Sequence, residues 1–170
     1  EEFVVYSHHG VPSAAVAGQP ITITITVTNL SNRGPAPTGT ITFVDFSYNG
    51  LVPVTNLLAS DLVLSNGTAS VTVTNLSAGS NYLGNHFITT NYSGDTIFQS
   101  ASATLLQKIH ARATLITMAS AVPFSNAVTF TALVSSSPPG GGTPTGFVAF
   151  WDGQTFLAQV PLNTNGIASF

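Results

Sequence analysis

Acid–base or metal chemistry in this chain would have to come from six carboxylates and four histidines, because cysteine is absent. The carboxylates are Glu1, Glu2, Asp45, Asp61, Asp95 and Asp152, and beyond the N-terminal pair they stand singly. Calcium needs several oxygen ligands converging on one point, which isolated acids do not announce. His8 and His9 are adjacent, and neighbours on a strand point to opposite faces, so the pair cannot share one metal from a regular strand. His86 and His110 are scattered, and no serine–histidine–acid pattern stands out. The reading is no cofactor, no metal and no enzyme. Asp45 and Asp152 are read instead as shaping a strand-end turn, and Asp95 as a Gly-Asp turn carboxylate that bonds nearby backbone N–H groups.

Charge is scarce as well. Charged residues make up 5% of the chain against roughly 25% in an average soluble domain. Solubility must then rest on Thr, Ser, Asn and Gly. The three basic residues, Arg33, Lys108 and Arg112, within a net charge of -3, give no footprint for nucleic acid and no polybasic patch for anionic lipid. No apolar run approaches the roughly 20 residues of a membrane span, and the acidic N-terminus does not look like a signal peptide.

The elements that must position these residues are strands. Pro37-Thr38-Gly39-Thr40-Ile41-Thr42-Phe43-Val44-Asp45 recurs as Pro144-Thr145-Gly146-Phe147-Val148-Ala149-Phe150-Trp151-Asp152, about 107 residues later. Ile21 to Val27 lies over Val128 to Val134 at the same offset. A period of that size is one small domain, too long for a solenoid repeat. In the clearest strand, Ile21, Ile23, Ile25 and Val27 alternate with Thr22, Thr24, Thr26 and Thr28, which predicts one face in a core and one in water. Thr40 to Phe46 follows with Ile41 and Phe43 inward, then a weaker strand from Leu57 to Leu64 and an Asn66-Gly67 hairpin signal before Ala69 to Val73. Ile88, Thr90 and Tyr92 share a face in His86 to Tyr92, and Ala101, Ala103 and Leu105 carry the inner face of a strand ending near Ile109. About seven short strands with no helical period point to an all-β antiparallel sandwich of the immunoglobulin type.

The pattern restarts near His110, giving a complete sandwich over residues 1–109 and a partial one over 110–170. Asn165-Gly166-Ile167-Ala168 matches Asn66-Gly67-Thr68-Ala69 at an offset of about 99, so the first copy holds some eight extra residues, expected in a loop around Phe46 to Asn56. The second copy has no counterpart of His86 to Leu105. Two missing strands would leave side chains and backbone groups uncovered, which favours a piece cut from something longer.

Taken together, Pro144-Thr145-Gly146 leading into a strand that ends Asp152-Gly153, then Asn165-Gly166-Ile167-Ala168, resembles the bacterial immunoglobulin-like repeat of large surface proteins. Leu76-Ser77-Ala78-Gly79 and Asn91-Tyr92-Ser93-Gly94-Asp95 resemble that family's late turn and its Tyr-Ser-Gly-Asp signature. The resemblance implies an extracytoplasmic, cell-surface, usually tandem and non-enzymatic module that acts as stalk, spacer or adhesive segment.

Two surfaces carry the expectations about partners. If Val148 and Phe150 face the core, Phe147 and Trp151 face out and could stack on a surface glycan or seat a neighbouring domain. Phe3, Val4, Val5 and Tyr6 read as an edge strand, and as a candidate donor strand if copies of the chain complete one another in a fibre. Neighbouring immunoglobulin-like domains or further copies of the chain are the expected partners, with no nucleic acid and no membrane insertion.

Overall fold

A computed structural model describes residues 4–29, 34–79, 84–121, 128–139 and 141–170. The chain is all-β and divides into two compact units, Glu1–Ala111 and Arg112–Phe170.

The first unit has two facing sheets. One is built from β1 (Val4–Val11), β3 (Ile21–Asn29) and β6 (Thr68–Val73), in the order β1-β3-β6. The other orders β2 (Ala14–Val16), β8 (Ala101–His110), β7 (Asn85–Tyr92), β4 (Thr40–Asn49) and β5 (Val52–Val63) as β2-β8-β7-β4-β5. All described pairings in this unit are antiparallel except β2 on β8, which is parallel.

The alternation in β3 is what closes the sandwich. Ile21, Ile23, Ile25 and Val27 are buried, each worth roughly 1.5–3 kcal/mol over exposure. They pack with Ile41, Phe43, Ile88, Tyr92, Phe98 and Ile109 in one cluster. On the solvent side threonines pair across strands in place of charges: Thr22 with Thr72 at 2.9 Å and Thr89 with Thr104 at 3.0 Å. Such pairs contribute about 0.2–1 kcal/mol each.

Three local expectations change. The first strand is longer than Phe3 to Tyr6: it runs Val4–Val11 and is followed by the short strand β2. Phe3 lies outside the described residues. The segment around Phe46 to Asn56 is no loop, because β4 and β5 continue through it to a turn at Gly50-Leu51. The eight extra residues lengthen that hairpin by four pairs, and Pro53 is tolerated because β5 is an edge strand. The third change follows from the second. Moving the turn outward leaves Asp45 in mid-strand and buried, so it does not shape a strand end. Asp152, where the hairpin is short, does close its strand beside Gly153.

In the second unit β9 (Thr114–Ala121), β10 (Thr129–Ser136) and β13 (Ile167–Ser169) form one sheet, and β11 (Phe147–Asp152) with β12 (Thr155–Pro161) a second. The register repeats that of the first unit: Ala132 opposes Ala168 as Ile25 opposes Ala69, and Ser136 opposes Thr114 as Asn29 opposes Val4. Strands β9 to β13 are therefore the counterparts of β1, β3, β4, β5 and β6. Residues 112–170 hold no described counterpart of β7 or β8. The core is correspondingly small: Ala132, Phe150 and Ala168 are buried, with Phe130, Val148, Val160 and Leu162 partly covered.

Candidate functional site

Three polar arrangements in the first unit could carry function. The first joins the start of β4 to the turn between β7 and β8. Gly39, at φ 97°, brings the backbone so close to the Tyr92–Gly94 segment that a Cβ there would meet Gly94 O and Ser93 Oγ. The Tyr92 hydroxyl donates to the Thr38 carbonyl at 2.5 Å. Thr38 donates its N–H and its hydroxyl to Asp95 Oδ2, both at 2.8 Å, while Asp95 Oδ1 accepts from Ile97 N–H and Phe98 N–H. Thr40 N–H donates to Ser93 Oγ at 2.9 Å. What desolvation Asp95 suffers would raise its pKa, but the N–H groups of Phe98, Thr38 and Ile97 and the Thr38 hydroxyl outweigh it. Its carboxyl is held well below the usual carboxylate range. This clasp is what the Pro-Thr-Gly and Tyr-Ser-Gly-Asp segments build together.

The second arrangement is a buried pair. Asp45 on β4 and His86 on β7 point into the sandwich, with His86 Nδ1 2.9 Å from both Asp45 oxygens. His86 Nε2 lies 2.8 Å from the Ser77 carbonyl. Both ring nitrogens face acceptors, an arrangement that favours the protonated ring. Burial works to lower the His86 pKa; the hydrogen bond to Asp45, the Ser77 carbonyl and the Asp45 charge outweigh it, and the net shift is upward. A cavity of about 410 Å³ opens beside the pair, lined in part by Asn49, Asn56, Asn75 and Ser77. A histidine with both nitrogens spent has no lone pair for a general base. The geometry is that of a tether between β4, β7 and the segment holding Ser77. Among the described residues no three or more His, Asp or Glu side chains gather to hold a metal ion.

The third arrangement locks the two ends of the unit together. Parallel strand β2 lies on β8 through Ala14–Lys108, Ala15–Ile109 and Val16–His110, and Ala17 N–H donates to the His110 carbonyl at 2.9 Å. Gln107 of β8 is buried, and its side chain reaches the segment that leads into β2. Its Nε2 donates to the Pro12 carbonyl at 3.0 Å and the Ser13 carbonyl at 3.1 Å. Its Oε1 fills the space where a Cβ on residue 10 would sit, which is why Gly10 stands there. The chain enters through β1, which pairs with β3, and leaves through β8. Once β1 is drawn off β3, tension between the ends slides parallel β2 and β8 lengthwise, so their bonds are loaded together.

The residues singled out from sequence are dispersed. Phe147 and Trp151 are 66% and 58% exposed on β11, with Trp151 edge-on to Phe156 at 5.1 Å. Val4, Val5 and Tyr6 lie in β1 opposite Asn29, Thr28 and Val27 of their own unit. His8 and His9 occupy successive positions of the same strand, opposite Ile25 and Thr24. Asp95, read from the sequence as a turn carboxylate, does accept from the nearby N–H groups of Ile97 and Phe98; the contacts of Asp45 with His86 and of Gln107 with Pro12 and Ser13 were not expected. A signal for the pair existed: Ile41-x-Phe43-x-Asp45 and His86-x-Ile88-x-Thr90 each put an ionisable residue on the inward face of a strand.

The model of the family described as Bacterial Ig-like domain (group 3) matches residues 9–109. No curated protein matches the chain. Among solved structures, the chain is similar to Escherichia coli alpha-2-macroglobulin activated by porcine elastase, at 12% identity and a TM-score of 0.47. That alignment covers 99% of this chain and 18% of the other, so the chain spans under a fifth of the solved protein's length.

Proposed function

Given that the chain belongs to the bacterial Ig-like domain family, group 3, we propose that it is a load-bearing structural or adhesive segment, a stalk or spacer, of a bacterial extracellular or cell-surface protein. The observation that carries this reading is the parallel β2–β8 lock with its Gln107 staple. Strands sheared along their length share the load over every bond between them, whereas strands pulled apart from one end lose their bonds one at a time. A module threaded into a longer chain under tension needs the first geometry. The saturated His86 and the clasp at Asp95 fit the same role, since both tie strands together and neither leaves a reactive group free. Threonine-covered outer faces fit an exposed module that keeps soluble without charge.

The test is single-molecule extension of the full chain held at its two ends. The first unit should resist and then open in one step, lengthening the tether by something on the order of 300 Å, as expected for about a hundred residues going from folded to extended. Smooth extension with no resisting step would contradict the proposal. A glycan contact at Phe147 and Trp151 rests only on their exposure. Strand donation by Phe3 to Tyr6 would take from β3 the partner that Val4 to Tyr6 already supply.

A further inference from the structure

We propose that the cavity beside Asp45 and His86 is a binding site for an uncharged sugar, taking one hexopyranose ring at the end of a glycan. The cavity has a buried polar floor and an exposed amide rim. Asp45, Ser47 and His86 form the floor at 0%, 7% and 3% exposure, and Asn49, Asn56 and Asn75 stand exposed around the mouth. Its volume of about 410 Å³ is at the small end of the range for small-ligand sites.

The floor carries a group that the fold itself does not use. Ser47 lies on the inward face of β4 after Ile41, Phe43 and Asp45, yet its hydroxyl has no hydrogen-bond partner among the described residues. A buried hydroxyl left unpaired costs about 1–3 kcal/mol, so its place in the cavity floor calls for a partner from outside the chain. The side chains of Asn49 and Asn75 also make no hydrogen bond among the described residues. Asn56 reaches Asp45 Oδ2 only at 3.4 Å through its Nδ2, which leaves its amide oxygen to accept. Each carboxamide sets a donor beside an acceptor, which is what neighbouring sugar hydroxyls need.

Charge decides the class of ligand. Asp45 is already matched by His86, and no lysine or arginine is among the described residues that line the cavity. An anion would meet the Asp45 carboxylate with no free cation to offset it. A cation would compete with His86 for the bond that ties β4 to β7. An uncharged polyol does neither. Leu58 and Leu76 supply an apolar wall for the C–H face of a pyranose ring, and Tyr48, edge-on to Phe46 at 5.3 Å, borders the mouth.

The same wall is missing from the second unit. Ser47 and Asn49 belong to the hairpin extension, whereas Asp152, the counterpart of Asp45, is exposed where its short hairpin turns. The extension thus continues the inward face of β4 with polar residues where Ile41 and Phe43 are apolar. The site shares no residue with the β2–β8 lock, so its failure would leave the load-bearing reading untouched.

The probes are the methyl glycosides of glucose, galactose, mannose and N-acetylglucosamine, titrated singly into the isotope-labelled 170-residue chain and followed by amide NMR shifts. Glucuronate and glucosamine serve as charged controls. At least one glycoside should give saturable shifts confined to β4, β5, the start of β7 and the segment around Ser77. Ser47→Ala and Asn75→Ala should each weaken that binding about tenfold, as loss of one hydrogen bond implies. Neither change removes a side-chain bond within the described fold, so both variants should keep the native thermal midpoint. No saturable shift with any of the glycosides, shifts spread into the second unit, or indifference to both substitutions would overturn the proposal. An equal or stronger response to glucuronate or glucosamine would overturn it too, by making charge the recognised feature.

Discussion

His86 ties the stability of the first unit to pH. Its pKa is raised in the fold, while an unfolded histidine titrates near 6.5. A group whose pKa is higher folded than unfolded contributes its full stabilisation below the unfolded value and loses it as pH rises through the folded one. The calorimetric midpoint of the first unit should therefore fall as pH is raised above about 6.5, and His86→Leu should remove that dependence. The same substitution should lower the midpoint on the acid side, because Asp45 is left buried without its partner, a loss of about 3–5 kcal/mol. A midpoint that does not move between about pH 6 and 9 in the unsubstituted chain would contradict the charged tether. Nothing in the identity of His86 distinguishes a tether from a surface histidine. What decides is the strand phase, which puts it on the buried side with Ile88 and Tyr92, and a hairpin long enough to keep Asp45 in mid-strand across from it.

Between elements, the clasp at Asp95 sets how the turn after β7 meets the start of β4. Asp95→Ala removes the acceptor of four donors, two from Thr38 and one each from Ile97 and Phe98, and should cost the first unit about 2 kcal/mol in urea unfolding. An unchanged denaturation midpoint would show the clasp to be decorative. This motif was legible as a pair of repeated or family-like segments, yet its function as two halves of one joint was not, since 57 residues separate Thr38 from Asp95. Strands with strict alternation, such as Ile21 to Thr28, were readable because period two forces one face inward. β2 was not readable: three residues leave no periodic trace, and what holds them is parallel pairing to β8, more than ninety residues on, with Gln107 fixing the preceding Pro12 and Ser13. The β4–β5 extension was expected as a loop around Phe46 to Asn56; the real turn is only Gly50-Leu51, and Pro53 sits harmlessly on a sheet edge.

At the scale of the whole molecule the chain is one sandwich whose two sheets are complete, followed by a unit that repeats five of its strands in the same register. The proposed load-bearing role rests on family membership, the repeat and the parallel lock. That claim separates mechanical from thermodynamic strength, and Gln107 is the residue at which they part. Gln107→Leu deletes the two side-chain bonds from β8 to the Pro12 and Ser13 carbonyls while keeping an apolar group in the site. The decisive measurement is the force at which the first unit opens when the full chain is pulled by its ends, compared between the native chain and Gln107→Leu alongside their urea stabilities. The account predicts a clear drop in opening force, larger than a stability loss of about 1–3 kcal/mol would produce if spread over the whole sandwich. An opening force that does not change, in a variant whose stability does, would place the mechanical resistance elsewhere and contradict the β2–β8 lock.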